Sequence, residues 1–368
     1  MGRPLFAVAT AIGLGLVSAA PAPTFVVDKL WPMPLPKHWI IGSVTGIAID
    51  ARDHLWVAHR AASLNLRTEI GLAATPPSAE ECCLPAPPIL QFDATGKLLT
   101  SWGGPGQGYD WPTSIGGIAV DDHDNLWITA AGVPEPAAAA AGAMGVVARA
   151  APGAGPANEP PSDAHILVFS STGQFVRQIG KPGQTSADDS ANLDKPADIA
   201  LDTKANEVYV ADGGTHQRVV VLDATTGAFK RQWSGHGSPF ARLSAIALAK
   251  DGLVYVGDRK NNRIQAFKTS GTFVKETSIA PQTLGNGSVW GVALSSDARQ
   301  QYLLVADGQD EQIILLDRST LAPVTSFGDG GRWPGRFYAV DAVAMDSRGN
   351  VYTGEGYEGK RVQKFLAR

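Results

Sequence analysis

The chain has 368 residues, enough for one large domain or two ordinary ones. Its formal net charge is −4, so it lacks the basic footprint that neutralising phosphates requires, and nucleic acid is not an expected partner. The 41 glycines and 25 prolines are spread along the chain and favour many short strands and turns over long helices.

The opening residues, MGRPLFAVATAIGLGLVSAAPAPTF, have the organisation of a secretory signal. Arg3 supplies charge, residues 5–17 an apolar run, and Ser18, Ala19 and Ala20 a cleavage zone. Residues 1–20 are therefore read as a signal peptide and residues 24–368 as the mature domain, exported to a periplasmic or extracellular location. The run is short for a membrane span, and no span is expected after signal removal; a single N-terminal anchor is the alternative.

Next comes TFVVDKLWP, a strand-like stretch whose Trp31 matches Trp102 and Trp233 further on. Six units of one plan follow: GSVTGIAIDARDHLWVAHR, SIGGIAVDDHDNLWITAAG, KPADIALDTKANEVYVADGG, RLSAIALAKDGLVYVGDRKNN, SVWGVALSSDARQQYLLVADG and YAVDAVAMDSRGNVYTGEGY. Each is strand, polar turn, strand, which is a hairpin signature. After each comes a third strand and then a fourth across a Gly or Ser/Thr turn, as in HILVFSSTGQFVRQIG. Four antiparallel strands recurring every ~46–50 residues predict propeller blades, and blades bury their faces only against each other. The last unit has three strands, RVQKFLAR being its third, so TFVVDKLWP is expected to complete it. The predicted fold is all-β: a six-bladed propeller closed by an N-terminal strand.

Units one and two carry long insertions between strands two and three, at residues 61–88 and 132–163. The second is Ala-, Pro- and Gly-rich and reads as a flexible loop. In a meander these loops share a face with the connections entering the next blade. The starts of the innermost strands therefore crowd the same face, where a small molecule, peptide or protein would bind.

Several residues on that face are candidates for binding. Arg60 and Arg259 end second strands and offer planar donor forks to a carboxylate or carbonyl, or else form ion pairs with Asp258 or another carboxylate. His59 stands beside Arg60, and Trp290 starts an innermost strand, where it packs or stacks on a ligand. Asp341, with Asp198 near it in the pattern, makes calcium a candidate cofactor of the central channel. Cys82 and Cys83, the only cysteines, lie in the first insertion. An exported chain favours a disulfide between these neighbours, with two thiols or a redox switch as alternatives.

The units KPADIALD…EVYVADGG…RVVVLDATTGAFKRQW resemble NHL repeats. Across nearly the whole mature chain, their order resembles that of six-bladed bacterial NHL proteins related to peptidyl-α-hydroxyglycine α-amidating lyase. VTGIAID…LWVAHR, DRKNNRIQAF, ECCLPAPPILQFD, SWGGPGQGYDWP and GKRVQKF carry the same likeness. The resemblance implies a zinc held by three histidines before the innermost strands of units two, four and six, where this chain has Gly116, Ser244 and Asp341. It also implies a tyrosine after the unit-three Asp-Gly, where this chain has Gly214. The expected function is a ligand- or partner-binding propeller without that zinc chemistry. The alternatives are a lyase-like enzyme releasing an amide and glyoxylate, and a gluconolactonase-type hydrolase, whose metal needs a glutamate that no innermost strand begins with.

Overall fold

Alternation of apolar and small residues makes each predicted segment a strand, and the computed structural model describes residues 22–132, 163–184 and 192–368. The expected signal peptide, residues 1–20, and most of the second insertion lie outside the described residues. Blade one runs from Ser43–Ile49 through Leu55–Arg60 and Ile89–Phe92 to Leu98–Trp102. Each strand pairs antiparallel with the next. Blades two to five repeat this order, their innermost strands being Ile115–Val120, Pro196–Asp202, Leu243–Leu248 and Gly291–Leu294. Blade six uses Val340–Met345, Val351–Glu355 and Arg361–Ala367, and its outer strand is Phe25–Val27 from the other end of the domain.

Closure is visible in the packing. Six apolar clusters each join one blade to its neighbour, the last joining blade six to blade one, as a ring of six requires. Trp31 is buried between Tyr352 of blade six and Phe92 of blade one, with ring centroids 5.2 and 5.9 Å away. Trp102 sits in the same way between Trp56 and Phe169, and Trp233 between Tyr209 and Phe267. The expected closure by TFVVDKLWP is therefore observed, register included: Phe25 faces Ala367 and Val27 faces Phe365.

Two recurring devices hold the blade ends. On the face of the first hairpin turns, Asp50, Asp121 and Asp346 accept the N–H groups of their own turn, and the Trp56 and Trp127 indoles or the Tyr352 hydroxyl donate to them. On the opposite face, blades three, four and six bury Asp212, Asp258 and Glu355 at the end of the second strand. These accept backbone N–H groups of Asp194, Ala241 and Tyr338, from the segment entering the same blade. Each also pairs with the arginine that opens its third strand: Arg218, Arg263 or Arg361. A buried carboxylate needs such partners, because desolvation without them costs several kcal/mol, on the order of the whole stability of a domain.

Candidate functional site

The innermost strands do not pair evenly from their first residue. A register shift falls at Val44/Gly46, Ile115/Ile118, Pro196/Asp198, Leu243/Ala245 and Val340/Ala342, in five of the six blades. A bulge leaves the extra residue unpaired and re-aims it. The skipped residues include Thr45, Gly116, Ala197, Ser244 and Asp341, and all of them, with Trp290 of blade five, line one cavity of ≈ 290 Å³ at the channel mouth. The channel positions inferred from the sequence are thus brought together.

Three guanidinium groups line this cavity: Arg60 from blade one, and Arg242 and Arg259 from blade four. Arg60 donates through Nη2 to Ser114 Oγ at 3.0 Å. Arg242 donates to Asn286 Oδ1, and Arg259 Nε donates to the carbonyl of the same residue, each at 2.9 Å. The Arg259 guanidinium carbon lies 3.5 Å from the Trp290 ring centroid, a close cation–π stack. The ring packs on its other neighbour Tyr357, and its indole N–H donates to Gly287 O at 2.6 Å. Trp290 is therefore a platform for Arg259 rather than for a ligand.

Arg259 is buried and its nearest carboxylate oxygen, from Asp341, is 3.8 Å away. Burial lowers its pKa to about 10, with Asp341 and Tyr357 opposing the shift. Burial also lowers that of Arg60, again opposed by Asp341. Asp341 and Asp198 are shifted the other way: burial raises Asp341, against the pull of the arginines, and raises Asp198 to about 7 although Ile246 N–H donates to it at 2.9 Å. Arg60 Nε and Arg259 Nη2 are buried with no hydrogen-bond partner. A buried unpaired donor on a charged group costs more than one on a neutral group, so both nitrogens mark where an acceptor would be favoured.

Among the residues singled out from sequence, Arg60, Arg259, Trp290 and Asp341 converge here. Of the carboxylates open to Arg259 as ion-pair partners, Asp258 pairs with Arg263 at 2.8 Å, and Asp341 is the one that faces Arg259. His59 does not line the cavity. It occupies the blade-one equivalent of Asp212, Asp258 and Glu355, accepting the Gly42 N–H through Nδ1 at 3.1 Å and donating from Nε2 to Pro87 O at 2.9 Å. These partners require the neutral ring, and burial lowers its pKa to about 4. Between pH 6.5 and 4 the unfolded chain takes up a proton that the folded chain resists, so stability is lost as pH falls. Replacing His59→Gln removes this term. Denaturant titrations at pH 7 and pH 4 should show the stability of the parent relative to the variant dropping by on the order of 3 kcal/mol. A difference that stays constant with pH would exclude the buried neutral ring.

The residues at the channel positions do not suit a three-nitrogen zinc site. Gly116 offers no donor, and a Cβ there would lie 2.6 Å from both Ala197 O and Thr129 Oγ1. Ser244 donates its hydroxyl to Val289 O at 2.7 Å, Asp341 faces Arg259, and no histidine lines the cavity. A divalent calcium would bring two charges against three guanidiniums with, among the described residues, only Asp198 and Asp341 lining the cavity to compensate. Among the described residues, the one cluster of three metal-type side chains, Asp121, Asp122 and His123, lies at a first hairpin turn on the opposite face.

The first insertion is anchored beside the site. Lys360 of blade six pairs with Glu69 at 2.8 Å, and Leu84–Pro85 forms a short parallel ladder with Trp39–Ile40. Cys82 and Cys83, directly before that ladder, are bonded to each other as a vicinal disulfide.

Fold and cavity together define a six-bladed β-propeller whose channel mouth is a cavity lined by three guanidinium groups. The NHL repeat family matches residues 240–267, the first three strands of blade four. Mouse peptidyl-glycine alpha-amidating monooxygenase is 26% identical over 268 residues, covering 67% of this chain and 22% of the relative. A probable peptidyl-alpha-hydroxyglycine alpha-amidating lyase of Caenorhabditis elegans is 24% identical over 151 residues, 40% of this chain and 43% of the relative. Mouse NHL repeat-containing protein 3 is 23% identical over 254 residues, covering 67% of this chain and 57% of the relative. The chain spans less than two thirds of the length of each of these relatives. It is a six-bladed propeller with an NHL-repeat match in blade four and with homology to the amidating monooxygenase and the hydroxyglycine lyase.

Proposed function

We propose that this protein is an exported propeller that binds a carboxylate-bearing small molecule or peptide at its channel mouth, without zinc-dependent lyase chemistry. The observation that carries the reading is the pair of buried, unpartnered nitrogens on Arg60 and Arg259 in one cavity. A carboxylate offers acceptors in the plane that a guanidinium fork demands, and it would relieve both desolvated cations. Export rests on the sequence of residues 1–20, and no helix among the described residues is long and apolar enough to cross a membrane. Exposed Leu66, Leu284 and Trp333 lie in loops of the same face and give a peptide ligand apolar surface beside the charged site.

Homology to the lyases favours one second reading: turnover of a peptidyl-α-hydroxyglycine, whose terminal carboxylate would meet the same arginines. Binding calorimetry with short peptides, free or amidated at the C-terminus, is paired with metal analysis and an assay for glyoxylate release. Binding of the free acid alone, with no glyoxylate, is the expected result. Stoichiometric zinc with turnover would replace this reading by the lyase, and equal binding of acid and amide would remove the carboxylate.

A further inference from the structure

The guanidiniums are not gathered on one wall. Blades one and four stand opposite each other in a ring of six, and each contributes arginine to the cavity: Arg60 on one side, Arg242 and Arg259 on the other. Each side also keeps one buried nitrogen without an acceptor, Arg60 Nε and Arg259 Nη2. Among the described residues, the carboxylates at hand do not satisfy these groups. Asp341 comes within ion-pair distance of Arg259 alone, at 3.8 Å, and Asp198 accepts from Ile246 N–H. Among the described residues, Arg60 and Arg242 have no carboxylate within 4 Å and bond instead to Ser114 Oγ and Asn286 Oδ1, with Asp341 acting on them only from a distance.

We infer that the ligand of this site is a compact dicarboxylate, with one acidic end on Arg60 and the other on the Arg242–Arg259 pair. This rests on the carboxylate-binding reading above and narrows it to molecules with two anionic ends. A single carboxylate would satisfy one wall and leave the other wall's nitrogen buried and unpaired. The second acidic group therefore adds a charge-assisted contact and removes a desolvated donor at the same time. A ≈ 290 Å³ cavity also limits the distance between the two groups to that of a short chain. Burial raises the pKa of Asp198 to about 7, which lessens its charge at neutral pH and leaves the arginines in greater excess.

The test is calorimetry on the purified protein at fixed ionic strength with malonate, succinate and glutarate, their monomethyl esters, acetate, propionate and inorganic phosphate. The expected result is a best dicarboxylate binding on the order of 100-fold more tightly than its own half-ester. Replacing Arg60→Gln should bring that ratio close to one. The half-ester comparison varies the ligand alone, so it holds even where the variant folds poorly. A dicarboxylate and its half-ester binding equally would overturn the two-ended site while leaving the carboxylate reading standing. Preference for phosphate would overturn it in favour of one tetrahedral anion, and failure of every anion to bind would overturn both.

Discussion

Deleting residues 24–32 is expected to lower the midpoint of thermal unfolding by on the order of 10 °C or more. The segment supplies the outer strand of blade six, the Phe25 ring packed at a tilt 4.7 Å from Phe327, and Trp31 between two blades. Without it, the edge of Arg361–Ala367 is unpaired and the junction of the ring loses its aromatic filling. Trp31→Ala isolates the packing part. A buried Trp→Ala change costs about 3–5 kcal/mol. With an unfolding entropy of about 2.1 cal/mol/K per residue, that amounts to a drop of about 5 °C in a domain of this size. Differential scanning calorimetry of the two variants decides the matter. A midpoint within about 1 °C of the parent for the deletion would show that the observed pairing contributes nothing to closure.

The second large effect concerns Arg259. Replacing it by Met should lower affinity for carboxylate ligands by about 100-fold, the loss of a buried charge-assisted contact. Arg259→Lys should recover little of this, because a point charge cannot offer the planar fork or stack on Trp290 as the guanidinium does. Stability should move in another direction. Removing Arg259 alone strands Asp341, whereas Arg259→Met with Asp341→Asn removes a buried ion pair and an unpaired donor together. Such replacements are often neutral or stabilising. The double variant should therefore unfold within about 2 kcal/mol of the parent, or above it, while failing to bind. If it binds normally, the cavity is not the site. If it is crippled in stability as well as in binding, Arg259 is an architectural residue.

The ring was legible in the sequence because blade repeats carry their period in the backbone pattern itself. Alternating strands, turn residues and a displaced Trp31 fixed both the number of blades and the closing strand. The channel positions were legible for the same reason, since the register shift falls at the same place in blades one, three, four and six. The place of His59 was not legible, because its neighbour Arg60 lies on the ligand face. Aligning it with Asp212, Asp258 and Glu355 would have placed it among the buried groups that fasten loops. Arg242 and Tyr357 were missed because they stand in connections between strands, where no alternation says which way a side chain points. Arg242, two residues ahead of Ser244 and basic where most units have a small residue, was the available hint.

The closing strand has one more consequence. Its partner lies about 340 residues away along the chain, so bringing the two together costs about 5 kcal/mol of chain entropy by the logarithmic dependence on loop length. The cavity walls come from all six blades, and blade six, which bears Asp341 and Tyr357, is whole only after that contact forms. Binding and closure are then two readings of one equilibrium. A ligand that needs the complete circle must tighten it, by about 2.7 kcal/mol at a hundred times its dissociation constant, and anything that loosens the strand must weaken the ligand in equal measure. The protein is a clasp fastened by its own N-terminal strand, which any ligand spanning the circle would lock.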